Sequence, residues 1–342
     1  MKRTILFGFF LMAILAALFI FGFSDRESQK SIVPLPPDLD KLPTIKAEPW
    51  VMVENDPDML LEGPAFDRQG NLYVTSIFDS RLFKITPTKQ VTSIQLPEGL
   101  LPDGIAIHKD GRLFIACLSG RVVSVNPDGS NLTDLPKLDG KPASANDLVF
   151  DNVNGNLYVT DFTGTVATPT GGVYRYSDNY NQVELVIPGL AAANGVGIAP
   201  PGNVPLGPNG GNILWVSETC RNEILYIELL GDGISINPVA GVTIPCRFSG
   251  GPGGSDSLRI DVEGNVYQCM IFQGRAQILN NRGVPIANVL IPGRETGKHL
   301  TTSNLAFKPG NDEVYMMAGG EGGAWIYKFH GLAQGLKLYS HQ

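Results

Sequence analysis

Leu61-Glu62-Gly63-Pro64-Ala65-Phe66-Asp67 runs directly into Arg68-Gln69-Gly70-Asn71-Leu72-Tyr73-Val74-Thr75. The first part is a polar residue followed by a small apolar run, with Asp at its end. The second part is aromatic and β-branched, the composition of a half-buried strand. Together they read as strand, turn, strand. The chain repeats the unit. Pro102 to Ile107 leads through Lys109-Asp110-Gly111 to Arg112 to Ala116. Asn146 to Phe150 precedes Asn156 to Thr160, and Asn194 to Ile198 precedes a Pro/Gly insertion and then Asn212 to Ser217. Asp256 to Ile260 turns at Glu263-Gly264 into Asn265 to Cys269, and Ser303 to Phe307 turns near Gly310 into Glu313 to Met317. The turn glycines are Gly70, Gly111, Gly155, Gly211, Gly264 and Gly310. They recur roughly every 40 to 55 residues, the period of propeller blades. A third strand follows each pair, starting near Arg81, Arg121, Gly172, Ile224, Ala276 and Ala324. The expectation is an all-β chain, a six-bladed β-propeller behind an N-terminal hydrophobic helix.

With 342 residues, 40 Gly and 25 Pro, the chain suits one large, turn-rich β domain. The net charge of -7 and the lack of a basic stripe argue against nucleic-acid binding. Met1-Lys2-Arg3 precedes an uncharged apolar run from Thr4 to Phe23. That run is long enough to span a bilayer and lacks an Ala-x-Ala cleavage site. It predicts a membrane anchor within residues 1–24, with the later domain outside the cytoplasm. The alternative is a cleaved signal and a secreted or periplasmic protein. Residues 25–46, with Pro34, Pro36, Pro37 and Pro43, form an extended linker. The propeller occupies 47–342, and Trp50-Val51-Met52-Val53 is expected to pair with the last blade and close the ring. Of the four cysteines, Cys117 and Cys269 belong to opposite blades and cannot pair. Cys220 and Cys246 lie on loops of one face, where a disulfide is possible.

Counting back four residues from Phe66, Ile107, Phe150, Ile198, Ile260 and Phe307 gives Glu62, Asp103, Asn146, Asn194, Asp256 and Ser303. All six carry oxygen. In a propeller the first strand of each blade lines the central channel, so these side chains converge at one mouth. Any one of them alone would read as a turn residue. Six in register suit a hard cation: calcium takes six to eight oxygen ligands, with magnesium or manganese as alternatives. Zinc or copper would ask for His or Cys, and none stands in the ring.

At these residues the chain resembles the senescence marker protein, gluconolactonase and luciferin-regenerating-enzyme family. The segments are Leu61 to Pro64 with Gly70 to Thr75, Asn146 to Asp151, Asn194-Gly195 and Ser255-Asp256-Ser257. Ile107 to Phe114, Gly155 to Phe162, Gly171 to Tyr174 and Leu290 to Arg294 resemble bacterial drug-responsive lactonases within it. The resemblance implies a six-bladed propeller with a divalent cation, usually calcium, at the channel mouth. It implies Glu62, Asn194 and Asp256 as ligands, with Asn146 and Ser257 in or beside the shell. It also implies a proton-handling role for Asp256. Asp147 corresponds to a second, structural calcium in some members. The short Leu118 to Asp139 segment argues against that second site here. Asp103 is an extra carboxylate, and an N-terminal anchor is unusual for the cytoplasmic members.

The expected chemistry is hydrolysis of a lactone or related ester. A cation at the mouth polarises the carbonyl, and Asp256 exchanges the proton of the attacking water. Asp103, Asp161, Glu218 and His299 are candidates for the pocket wall. No Gly-x-Ser-x-Gly elbow is present, which disfavours a serine hydrolase. The rival from another class is a non-catalytic, ligand-binding propeller at the cell surface.

Overall fold

The computed structural model describes residues 31–138, 143–199, 210–239 and 241–342. Six antiparallel sheets follow one another along the chain, each with its first strand innermost. The inner strands are Leu61–Phe66, Pro102–Ile107, Ala145–Phe150, Ala193–Ile198, Gly254–Ile260 and Thr301–Phe307. They belong to blades one to six in that order. The expected strand Trp50 to Val53 lies within Glu48–Glu54. It pairs antiparallel with Ala324–His330 as the outer strand of blade six, matching Val51 with Ile326. Glu48–Glu54, which precedes the first blade, thus shares a sheet with the last strands of the chain. Thr44–Lys46 adds a short parallel strand to the outer edge of blade five, beside Asn288 to Leu290.

The turns form for local reasons. Asp67 accepts from the Gln69 and Asn71 backbone N–H at 2.9 and 2.8 Å and from the Asn71 amide at 2.7 Å. Asp261 repeats this with Glu263 and Asn265. In both the Gly before Asn sits at positive φ, 78° at Gly70 and 80° at Gly264, which a side chain would resist. Gly211 departs from the expectation. It is not a turn residue but part of the second strand Gly210–Glu218, where a Cβ would lie 1.9 Å from the Leu230 carbonyl. The Pro/Gly insertion ahead of Gly210 lies outside the described residues.

Alternation along the strands sends one apolar row to each neighbouring blade. The buried apolar residues accordingly fall into six clusters, one at each blade interface. At the turn end of the channel an apolar cavity of about 130 Å³ is lined by Phe66, Ile107, Phe150, Ile198 and Phe307 and floored by Leu336 and Tyr339. Arg68 holds that floor by donating to the Ser340 carbonyl at 2.6 Å. The possible Cys220–Cys246 disulfide is not formed. Cys220 is an exposed free thiol in a turn tied back to Ala191, and Cys246 is a half-buried thiol opposite Ile224 that packs on the interface between blades four and five. Thr4 to Phe23 lies outside the described residues, and among the described ones no helix is long and apolar enough to cross a membrane.

Candidate functional site

All six inner strands break register at the same level. The breaks fall between Glu62 and Ala65, Pro102 and Ile105, Ala145 and Leu148, Ala193 and Val196, Ser255 and Leu258, and Thr302 and Leu305. In blades two to six the interruption holds the oxygen-bearing residue and its successor; in blade one Glu62 pairs with Thr75 at the edge of the break, which holds Gly63 and Pro64. Bulges re-aim side chains, so one repeated backbone device presents Glu62, Asp103, Asn146, Asn194, Asp256 and Ser303 at one mouth. All six are buried. Three successors are Gly63, Gly104 and Gly195. A Cβ there would come within 2.2 Å of the Asp103 carbonyl, 2.7 Å of the Asn146 carbonyl and 2.7 Å of the Ser257 Cα, respectively. Glycine lets neighbouring inner strands approach this closely.

The acids are each tied by an amide. The Asn146 Nδ2 donates to Asp103 Oδ2 at 2.9 Å, Asn194 Nδ2 to Asp256 Oδ1 at 2.8 Å, and Asn304 Nδ2 to Glu62 Oε2 at 2.8 Å. Ser257 Oγ donates to Asn194 Oδ1 at 3.3 Å. Ser303 instead spends its hydroxyl on the Leu61 carbonyl at 2.6 Å, closing the ring from blade six to blade one. The Asn146 Oδ1 is a buried acceptor without a partner. Among the described residues no group of three or more His, Cys, Asp or Glu is arranged to hold a metal by itself. The mouth offers a mixed set in which each carboxylate is tied to an amide.

Electrostatically the site is short of positive charge. Burial, chiefly, pushes the Glu62 carboxyl up to about 7 from 4.5, outweighing its bonds from Asn304 and Gly63. Burial and then the charge of Glu62 raise Asp103 and Asp256 well above the usual carboxylate range. Among the described residues no Lys or Arg pairs with these three acids. A buried oxygen-only set whose carboxylates repel one another's charge is suited to a hard cation.

The other predicted residues have local duties. Asp161 accepts from Ser144 N–H at 2.9 Å and from Thr163 Oγ1 at 3.0 Å, shaping the loops of blade three. Glu218 is fully buried and accepts from Ala191 N–H and the Arg221 guanidinium. Its Oε2 has no partner. His299 is held at φ 52° and packs edge-on against Trp325 and Tyr327 in blade six. Burial lowers its pKa. Asp147 is paired with Arg259 at 2.8 Å, so its carboxylate already has a cation.

Sequence reasoning passed over the hydroxyls behind the ring. Thr75 Oγ1 donates to the Asp103 carbonyl at 2.7 Å, Thr160 Oγ1 to the Asn194 carbonyl, and Ser217 Oγ to the Asp256 carbonyl. In each case the second strand of one blade clamps the ring residue of the next. The signal was available as aromatic, Val, hydroxyl: Tyr73-Val74-Thr75, Tyr158-Val159-Thr160 and Trp215-Val216-Ser217.

Residues 60–318 match the family model described as SMP-30/gluconolactonase/LRE-like region. The chain is 36% identical over 323 residues to lactonase drp35 of Staphylococcus saprophyticus, covering 92% of this chain and 96% of that one. Among solved structures it is similar to a calcium-binding regucalcin from Agrobacterium tumefaciens, with a TM-score of 0.69, 17% identity and coverage of 86% and 98%. A gluconolactonase from Xanthomonas campestris superposes with a TM-score of 0.63, 18% identity and coverage of 88% and 99%. At these identities the two structures speak for the shared fold.

Proposed function

The chain belongs to the SMP-30/gluconolactonase/LRE-like family, and from that premise we propose that it is a lactonase-type hydrolase whose channel mouth holds a divalent cation, calcium by preference. The supporting observation is the amide-tied carboxylate set with a buried, unpartnered acceptor at Asn146 Oδ1. Glu62, Asn146, Asn194 and Asp256, with Ser257 beside them, would hold the cation. When bound, such a cation supplies Lewis-acid polarisation of an ester carbonyl.

The chain's own residues supply the rest. The Asn194 amide fixes Asp256 Oδ1 and so orients the carboxylate. Asp256 takes a proton from the attacking water and returns it to the departing alkoxide, general base and then general acid. Asp103, tied to Asn146, adds negative charge beside the site without an amide-free role of its own. The substrate is a small lactone or related ester entering from the mouth. The test is turnover of a panel of lactones and esters by purified protein, with calcium, manganese or magnesium added back after chelation. Cation-dependent hydrolysis is expected. No turnover with any divalent ion would favour a ligand-binding propeller instead.

A further inference from the structure

Four buried carboxylates stand at the level of the register breaks: Glu62, Asp103, Asp147 and Asp256. Three receive a neutral amide. The fourth receives a guanidinium. Arg259 Nη1 donates to Asp147 Oδ2 at 2.8 Å and to the Leu258 carbonyl at 2.7 Å, and Nη2 reaches Asp147 Oδ1 at 3.3 Å. Arg259 lies three residues after Asp256 on the inner strand of blade five, and Asp147 follows Asn146 on that of blade three. Blade four stands between them and presents Gly195 and Gly197. The Gly104 position is also cleared, since a Cβ there would come within 2.8 Å of Asp147 Oδ1. Asp147 is further fixed by the Leu148 N–H, which donates to Oδ1 at 2.9 Å.

We propose that Arg259 is a fixed counter-cation of the channel, neutralising Asp147 and thereby setting how tightly the mouth takes up an external divalent cation. This rests on the cation-binding reading above and assigns a positioning and electrostatic role to two residues outside the ligand set. An amide orients a carboxylate but leaves its charge for the incoming ion. A guanidinium cancels the charge. The pair therefore divides the buried acids into three that attract a cation and one that is already served. Both charges sit beside the ring: Asp147 directly follows Asn146 on the inner strand of blade three, its Oδ1 is approached by the Gly104 position next to Asp103, and Arg259 shares the inner strand of blade five with Asp256.

The signature is a change of sign between two single variants. Arg259→Gln bares the Asp147 charge and is expected to tighten calcium binding by on the order of tenfold. Asp147→Asn frees the guanidinium beside the ring and is expected to weaken it by a similar factor. The double variant Asp147→Asn/Arg259→Gln restores near wild-type affinity, and Arg259→Lys keeps the charge and stays close to wild type. The measurement is calorimetric titration of the chelator-stripped full-length chain, in mild detergent, with calcium ion alone. Folding is checked by near-ultraviolet circular dichroism. Should Arg259→Gln not fold, Asp147→Asn against the double variant carries the same test, since loss of the guanidinium must tighten binding in that background. A merely structural pair would make both single variants weaker, and that result, or no change in either, overturns the proposal alone. A wild-type protein that takes up no calcium, manganese or magnesium would sink the cation reading and this proposal with it.

Discussion

Asp256 is where residue chemistry is most exposed to test. Asp256→Asn keeps an oxygen toward a cation but removes the basic carboxylate. Turnover at saturating calcium should fall within the ~10²- to 10⁴-fold range of a general acid–base group, with much of the cation affinity retained. An intact rate would remove the proton-transfer role. Asn194→Ala deletes a proposed neutral ligand and the amide that orients Asp256, so excess calcium should restore activity only in part. The cation-free protein should also show its charge deficit in its pH dependence. Glu62 stands at about 7 when folded against 4.5 for the free group, and Asp103 and Asp256 move the same way. A raised carboxyl stabilises fully below its unfolded value and loses that contribution as pH rises through the folded one. Melting temperature in chelator should therefore drop between about pH 5 and pH 8, and calcium should restore more at the upper end. A calcium increment equal at both ends would contradict this.

At the scale of the element, the register break and its hydroxyl clamp act together. A bulge at the same level in every inner strand aims the ring, and the next blade's backbone is pinned from behind by Thr75, Thr160 or Ser217. Thr160→Val keeps the shape and leaves the Asn194 carbonyl without this donor. The expected cost is about 1 to 3 kcal/mol in denaturant unfolding, together with weaker cation binding because Asn194 loses its anchor. Unchanged affinity at reduced stability would separate the clamp from the site. The paired turns at Asp67 and Asp261 show the same economy of local means. In each, one Asp side chain satisfies the backbone of the turn, so the inner strand ends and the second strand begins at defined residues.

For the whole molecule, closure is the governing feature. Blade six takes its outer strand, Glu48–Glu54, from the opposite end of the domain sequence. Ser303 adds a second tie through the Leu61 carbonyl at the mouth. Removing residues up to Glu54 should leave Ala324–His330 as a bare edge and expose the apolar cluster between blades six and one. The truncated chain is expected to aggregate or to melt well below the full one, and equal melting temperatures would show that the ring does not depend on this strand. The proposed membrane anchor over Thr4 to Phe23 is a separate matter. N-terminal sequencing of the native protein should find that segment retained, and a mature chain starting near Ser24 would replace the anchor with a cleaved signal.

Periodicity alone determined the blades. Strand alternation and Asp or Gly turn chemistry are local, and they repeat six times, so blade number, strand order and the oxygen ring were legible in the chain. The closing strand was legible too, because Trp50 to Val53 alternates and stands ahead of the first unit. Other features depended on contacts between distant segments. Gly211 was misread as a turn because it lies inside the second strand of blade four, and Cys220 and Cys246 stayed apart because each is held by its own backbone neighbours. Pairing of Asp147 with Arg259 joins blades three and five, residues 112 positions apart, and no local pattern announces it. The amide given to each ring acid, and the clamp from the blade behind, likewise depend on how neighbouring sheets pack. A repeat specifies what each blade is. Which partner each buried charge receives is decided only when six twisted sheets close on one axis.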